Sequence, residues 1–315
     1  MSTGVRFSVI VTNYNYGAFV GEAIDGVLAQ TRPAHQLIVV DDGSTDGSPA
    51  RLAERYGHDP RVTLLLGENG GQLAAFQRGL AVADGDVVCF LDADDCWRPE
   101  HLARLGELLD ARRDIDFVFT DVELFDQQVA RMRYADRALD LGYTAVSTYM
   151  LTHWYGAPTS AIALRIGWAR RTLDLPGSLS SAWRLSADNC LVFGTSILGG
   201  RKYYLPTGTV RYRIHGANGW WSNRTPANEY LNRFRSRSLI EHYARTVGLD
   251  ARCVELAKHE FKTKPVPTMR EARRYAGLVR LRQGSWLRRM EQSFSILWSA
   301  WRRRGTLPVE FKGLG

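Results

Sequence analysis

Cysteine is scarce in this chain. The four cysteines, Cys89, Cys96, Cys190 and Cys253, are scattered over 315 residues and form no CxxC pair. That argues against a zinc site and a disulfide framework, and for a reducing compartment. Long apolar runs are missing too: none approaches 18 residues, so no membrane-spanning helix is expected. No basic-plus-apolar-plus-small-residue pattern precedes the first predicted strand, so no signal peptide is expected either. A GxGxxG after that strand, which a dinucleotide-binding oxidoreductase would need, is absent. There is no internal repeat and no low-complexity tract.

At 45% apolar and 23% charged residues, the composition is that of a globular chain with a sizeable core. Its length suits one large domain or a domain with an appendage. The net charge is +8 and unevenly spread: arginines crowd residues 270–304, and the first hundred residues hold most of the aspartates of interest. A basic tail of this kind suits nucleic acid, an anionic membrane or a phosphorylated substrate.

Apolar β-rich runs at 7–11, 37–40, 62–66, 87–91 and 115–119 alternate with helical spacing at 18–29, a stretch ending near Tyr56, 72–83 and 99–112. This alternation with short loops predicts an α/β fold, a mostly parallel central sheet with helices on both faces. Residues 120–225 are irregular and Trp-rich. From about 228 the chain turns helical and basic, and Pro265 and Pro267 divide it into two helical pieces.

Two predicted strands end in acids. Leu37–Val40 runs into Asp41 and Asp42, and Val87–Leu91 into Asp92, Asp94 and Asp95. Unpaired carboxylates in a core cost several kcal/mol or more. At the carboxyl ends of parallel strands, where such folds bind ligands, a divalent cation offsets them. A helix cap needs one aspartate and not three. Asp42, at its strand end, can accept the imide N–H of a pyrimidine base, while Ser44 or Asp46 suits a helix cap.

Taken together, Thr12-Asn13-Tyr14-Asn15, Asp41-Asp42-Gly43-Ser44, Asn69-Gly70-Gly71 and Asp92-Ala93-Asp94-Asp95 resemble the inverting family 2 glycosyltransferases, with the A-type nucleotide-diphospho-sugar transferase fold. The likeness is strong over about 5–120 and weak over 120–220. It implies a metal-dependent inverting transfer of a sugar from a nucleotide-diphosphate donor to a hydroxyl acceptor, in cell-surface polysaccharide or glycolipid assembly. Thr12, Tyr14 and Asp42 would hold the base, with Asn15, Gly70, Gln72, Asp92 and Arg213 also on the nucleotide. Asp92 and Asp94 would form the DXD pair, with Asp94, Asp95 and His215 around Mn²⁺ or Mg²⁺. Arg213 either neutralises the leaving phosphates or pairs with a carboxylate structurally.

Asp188 would be the general base, although Ala187 stands where an acid usually precedes it; a helix cap is its plain alternative. Phe76 stands where relatives place an arginine, so a base or phosphate contact is missing or moved. Trp154, Trp183 and Trp220 are candidate acceptor residues by their aromatic faces.

The expected division is a catalytic domain at 1–225, with a nucleotide-binding half to about 120 and an acceptor half at 121–225, followed by a helical basic region at 226–315. In that last region Trp286, Leu287, Met290, Phe294, Leu297, Trp298 and Trp301 recur at three- and four-residue steps among arginines, a basic amphipathic helix. It either contacts a membrane or docks on the catalytic domain; no nucleic acid is expected. The expected location is the cytoplasm, at the inner face of the cell membrane. Two alternatives stand beside this reading. One is a catalytically degenerate binding scaffold. The other is a sugar nucleotidyltransferase, which usually carries a Gly-rich loop and a basic residue after strand one, both missing here.

Overall fold

A computed structural model of the chain describes residues 4–216 and 225–303. Its first part alternates β1 (Phe7–Asn13), α1 (Val20–Leu28), β2 (Gln36–Asp41), α2 (Ser48–Tyr56), β3 (Val62–Leu66), α3 (Gln72–Val82), β4 (Val87–Asp92), the short β5 (Cys96–Trp97) and α4 (His101–Ala111). The first four strands and the helices between them lie within two residues of their predicted bounds. Strands β1, β2 and β4 are unbroken apolar runs because both their faces are covered; Val9, Ile10, Val39, Val40, Phe90 and Leu91 are fully buried.

The sheet runs β3-β2-β1-β4 with every pairing parallel. Asn13 pairs with Asp41, and Thr12 with both Val40 and Asp92. The acid-bearing strand ends therefore stand level. From β1 the chain first builds outward through β2 and β3, then returns to β1's other side as β4. The resulting crevice between β1 and β4 is the switch point at which such sheets bind ligands.

Beyond β4 the sheet becomes mixed. The chain continues through β6 (Phe117–Asp126), β7 (Ala130–Met132), β8 (Leu139–Gly142), α5 (Ala145–Leu151), β9 (Ile162–Arg165), α6 (Ile166–Leu173), α7 (Gly177–Ser180), α8 (Asp188–Ile197) and β10 (Lys202–Ile214). β9 enters antiparallel between β4 and β6, β10 lies parallel to β6, and β5 runs antiparallel along β10. The predicted strand at 115–119 is longer than expected and ends at Asp126. Thr120 and Asp121 are polar yet buried, with Asp121 paired to Arg131, and they interrupt the apolar signal.

Among the described residues the C-terminal part holds four α-helices, not two: α9 (Pro226–Thr246), α10 (Ala257–Lys262), α11 (Met269–Arg280) and α12 (Trp286–Arg302). The two prolines do separate α10 from α11, but the chain also turns at Gly248 and Gly284. These helices share the core: Leu239, Ile240, Phe261 and Tyr275 belong to the same buried cluster as the sheet. Glu260 of α10 acts as a cap from a distance. Its carboxylate accepts the N–H groups of Val146 (2.7 Å) and Ser147 (3.1 Å) at the start of α5, and the Tyr275 hydroxyl (2.6 Å).

Of the two expectations for the aromatic stripe, docking is not what the described residues show. α12 lies on α11 through Ser293, Ile296 and Ala300, while Trp286, Leu287, Met290, Phe294, Trp298 and Trp301 are exposed and Leu297 is half-buried. The two small residues let the helices approach closely, and the bulky stripe is turned aside.

Candidate active site

The loops above β1 and β2 are tied by their own polar residues. Asp41 accepts from the Asn13 side-chain amide (2.7 Å) and the Ser44 N–H (2.8 Å). Asn15 takes a positive φ of 59°, which asparagine tolerates, and its side-chain oxygen accepts the Thr45 N–H at 2.7 Å. Asp46 stands one residue before Gly47, the cap position of α2, and accepts the Ser48 N–H at 3.0 Å. Thr12 stands at the end of β1, and Tyr14 above it is 47% exposed.

Asp42 is buried and fully engaged. Its carboxylate accepts the N–H of Gly70 (2.9 Å) and Gly71 (2.7 Å), the Asn69 amide (3.2 Å) and the Arg78 guanidinium (2.5 Å). Arg78 thus supplies a cation to Asp42 from two places beyond Phe76. Phe76 is buried against Phe90, ring centroids 4.4 Å apart, and Arg78, about 200° further round the helix, reaches the loop. Its signal in the sequence was an arginine two places late on the right helix.

The turn after β4 gathers the acids. Asp92 accepts from Gln72 Nε2 at 2.9 Å, and Asp94 Oδ2 lies 3.0 Å from His215 Nε2. Asp95 is engaged on both oxygens, by the Ser160 hydroxyl (2.6 Å) and the Arg213 N–H (2.9 Å). Expected at the metal, it serves here to tie the turn to β10. Burial pushes Asp92 up to about 8, with the neighbouring charges of Asp94 and Asp188 adding to it. Burial, then Asp94 and Asp92, hold Asp95 well above the usual carboxylate range. Tyr16 and Tyr212 flank the cluster: burial and the same three aspartates raise both phenols. Neither tyrosine was assigned a role from the sequence, since no spacing brings them to β4.

Arg213 takes the structural one of its two predicted roles. Its guanidinium pairs with Glu22 (2.5 Å) and Asp126 (3.5 Å), donates from Nε to the Asp94 carbonyl (2.9 Å), and sits between the Phe19 and Phe125 rings. It shapes the turn that carries Asp94.

Asp188 opens α8 from inside the first turn. The cap position is Ala187, with no side-chain hydrogen bond, so the plain helix-cap reading of Asp188 does not hold. Its carboxylate accepts the N–H of the adjacent Asn189 (2.9 Å), and burial pushes it up to about 7. The segment before it is clamped onto the Asn69–Gln72 loop. Arg184 holds the Asn69 side chain and donates to the Gly70 carbonyl (3.2 Å), and its own carbonyl accepts the Gln72 N–H (2.8 Å). Gly71, at φ +88°, has no room for a side chain: a Cβ there would lie 2.7 Å from Arg184 Cα. Gln72 joins the two halves of the site, donating to Asp92 while its Oε1 accepts the Ala187 N–H (2.9 Å).

Of the acceptor candidates, Trp183 is buried and Trp154 half-buried. The Trp154 indole N–H is buried with no hydrogen-bond partner. Trp220 lies outside the described residues.

Asp94 and His215 offer an oxygen and a nitrogen on one side of a concentrated negative charge, which a divalent cation would relieve. Among the described residues no three His, Cys, Asp or Glu side chains close into a cage. One carboxylate oxygen and one imidazole nitrogen, 3.0 Å apart, are donors of a kind that could share a cation with phosphate oxygens.

Comparison with known proteins agrees with this geometry. The sequence model described as Glycosyl transferase family 2 matches residues 8–165. An uncharacterized glycosyltransferase of Nostoc sp. is 34% identical over 230 residues, 71% of this chain and 70% of that one. TuaG of Bacillus subtilis, a glycosyltransferase provisionally named for teichuronic acid biosynthesis, is 36% identical over 121 residues, 38% of this chain and 48% of that protein. Among solved structures, TarS of S. aureus in complex with UDP-GlcNAc superposes with a TM-score of 0.54 at 14% identity, over 95% of this chain and 72% of that one. At that identity the likeness is one of fold.

Proposed function

The chain belongs to glycosyl transferase family 2, and from that premise we propose a metal-assisted, inverting transfer of a sugar from a nucleotide-diphosphate donor to a hydroxyl of a glycan acceptor. The observation that carries the proposal is the meeting of Asp92, Asp94 and Asp188 at the β1–β4 switch point, with Gln72 donating to Asp92 and accepting the N–H of Ala187, the residue before Asp188.

In this reading the base lies over Thr12 and Tyr14, beside the loop that Asp42 and Arg78 hold, with Asn15 and Gly70 lining it. Asp92 faces the ribose. Asp94 and His215 would hold the cation, with Asp95 and Arg213 fixing the turn behind them. When bound, the cation would offset the charge growing on the diphosphate as the glycosidic bond breaks. Asp188 takes the proton of the acceptor hydroxyl as that oxygen attacks the anomeric carbon from the face opposite the leaving group. A carboxylate raised to about 7 is well matched to that task at neutral pH.

A UDP donor is the first to test, since the TarS neighbours were solved with UDP-GlcNAc and UDP. The acceptor we propose is a lipid-linked or cell-surface polysaccharide precursor, a reading supported by the likeness to TuaG, which is named for teichuronic acid biosynthesis. The location proposed is the cytoplasmic face of the membrane, with residues 1–225 catalytic and 226–315 a helical appendage sharing their core.

The decisive experiment is transfer or donor hydrolysis with Mn²⁺ and UDP-sugars, comparing the native chain with Asp188→Asn. Near-normal turnover in a folded Asp188→Asn protein would remove the mechanism. No turnover with any UDP, GDP or dTDP sugar, together with no nucleotide binding, would favour the scaffold reading.

A further inference from the structure

α12 turns its bulkiest apolar side chains away from the rest of the protein. Trp286, Leu287, Met290, Phe294, Trp298 and Trp301 are between 37% and 71% exposed. At about 100° per residue they share one arc of about 120°. Phe294, Trp298 and Trp301 stack in a row, with successive ring centroids 6.3 and 5.0 Å apart. The neighbouring face of the helix is already taken by α11, through Ser293, Ile296 and Ala300. The Ser293 hydroxyl donates to the Ala276 carbonyl, and Arg280 donates to that hydroxyl. The exposed stripe is thus held in place on the body of the protein. An exposed apolar patch of this continuity marks an interaction surface.

We propose that this stripe docks on the headgroup–acyl boundary of an anionic lipid bilayer. The first argument is the kind of side chain. Three of the six are tryptophans, whose large rings with one polar N–H favour that boundary. The second is charge. Residues 269–303 carry nine arginines against two glutamates. Arg288 and Arg302 are exposed beside the aromatic arc, where anionic headgroups would meet them. The third is orientation: one flank of the helix is fixed to α11, so the helix can lie only along a surface. No helix among the described residues is long and apolar enough to cross a membrane.

A second copy of the chain fits less well. Two copies of the same stripe would bring their flanking arginines, Arg288 and Arg302, against each other, and like charges so placed repel. The inference rests on α12 alone and needs neither the donor site nor Asp188.

The test uses the full chain with two kinds of vesicle, pure phosphatidylcholine and the same lipid with about a third phosphatidylglycerol. The readouts are co-sedimentation and the shift of tryptophan emission. The native protein is expected on the anionic vesicles, about tenfold or more weaker on the neutral ones, and released by salt. The triple substitution Phe294→Ser, Trp298→Ser, Trp301→Ser changes only exposed side chains and should keep the native circular dichroism. It should bind about tenfold or more weaker, with donor hydrolysis in solution unchanged. Arg288→Glu with Arg302→Glu should abolish the preference for anionic lipid.

Equal vesicle binding by the native and triply substituted chains would overturn the proposal, as would no binding by either. So would a dimer in light scattering that the triple substitution dissolves, which would give the stripe to a second copy. Absence of any glycosyltransfer would leave the vesicle result standing, so the two proposals fail separately.

Discussion

Asp188 shows how one residue's surroundings set its chemistry. Burial lifts its carboxyl from 3.8 to about 7, so it is half protonated at neutral pH and a competent base above it. The kcat/KM of transfer should therefore rise with pH through about 7 and flatten above it; a profile flat from pH 5.5 to 8.5 would count against this role. Asp188→Asn should lower kcat by about 10²–10⁴-fold while donor binding, read by calorimetry, stays close to native.

The same shift is a statement about stability. A carboxyl raised in the folded state holds its proton more tightly there than in the unfolded chain, so stability falls as pH rises from about 4 to about 7. Asp92, up to about 8, extends that loss to slightly higher pH. The metal-free protein should thus melt lower at pH 8 than at pH 5.5. At pH 8, Asp188→Asn should gain on the order of 1–2 kcal/mol, discounted for the part of the side chain that faces solvent. Arg78 gives a contrasting case: Arg78→Ala leaves the buried Asp42 short of its cation and should cost about 1–3 kcal/mol and raise the KM for the donor.

At the scale of elements, loops are positioned by other loops. The Asn69–Gln72 loop receives the segment carrying Asp188 at a contact where only glycine fits. Gly71→Ala sets a Cβ against the Arg184 backbone at φ +88° and should cost about 1–3 kcal/mol. Its kcat should fall more than its donor affinity, because the displaced element is the one bearing Asp188, the proposed base. Glu260→Ala tests the analogous joint between α10 and α5. It would leave the N–H groups of Val146 and Ser147 unsatisfied in a buried place and should lower the melting temperature by several degrees.

At the scale of the whole molecule, the negative site is built on a chain of net charge +8. Fifteen of the 36 arginines fall in residues 226–315, while the acids of the candidate site gather at the sheet's switch point. Mass action provides the global check. UDP with Mn²⁺ at about one hundred times Kd should stabilise the fold by about 2.7 kcal/mol, visible as a rise in melting temperature. UDP with EDTA should give much less, and Asp94→Ala should abolish the difference. An equal rise with and without the metal would argue against a cation at the diphosphate.

What the sequence determined by itself is the N-terminal half and the candidate chemistry. Strands β1 to β4 are short β-rich runs, and β2 and β4 end in acids; such runs announce both their boundaries and the end that binds. Local pattern could not announce what is made by distant pairing. β9 is four residues long, and β6 hides buried Thr120 and Asp121, whose polarity is paid for by a partner strand and by Arg131. Arg213 could have met phosphate or carboxylate; only the packing of α1 and β6 around it gave it Glu22 and Asp126. The spacing of the aromatic residues marked α12 as amphipathic, yet it was the fit of Ser293, Ile296 and Ala300 against α11 that turned the tryptophans outward. Periodicity fixes which side chains share a face, and only tertiary packing decides which face is buried.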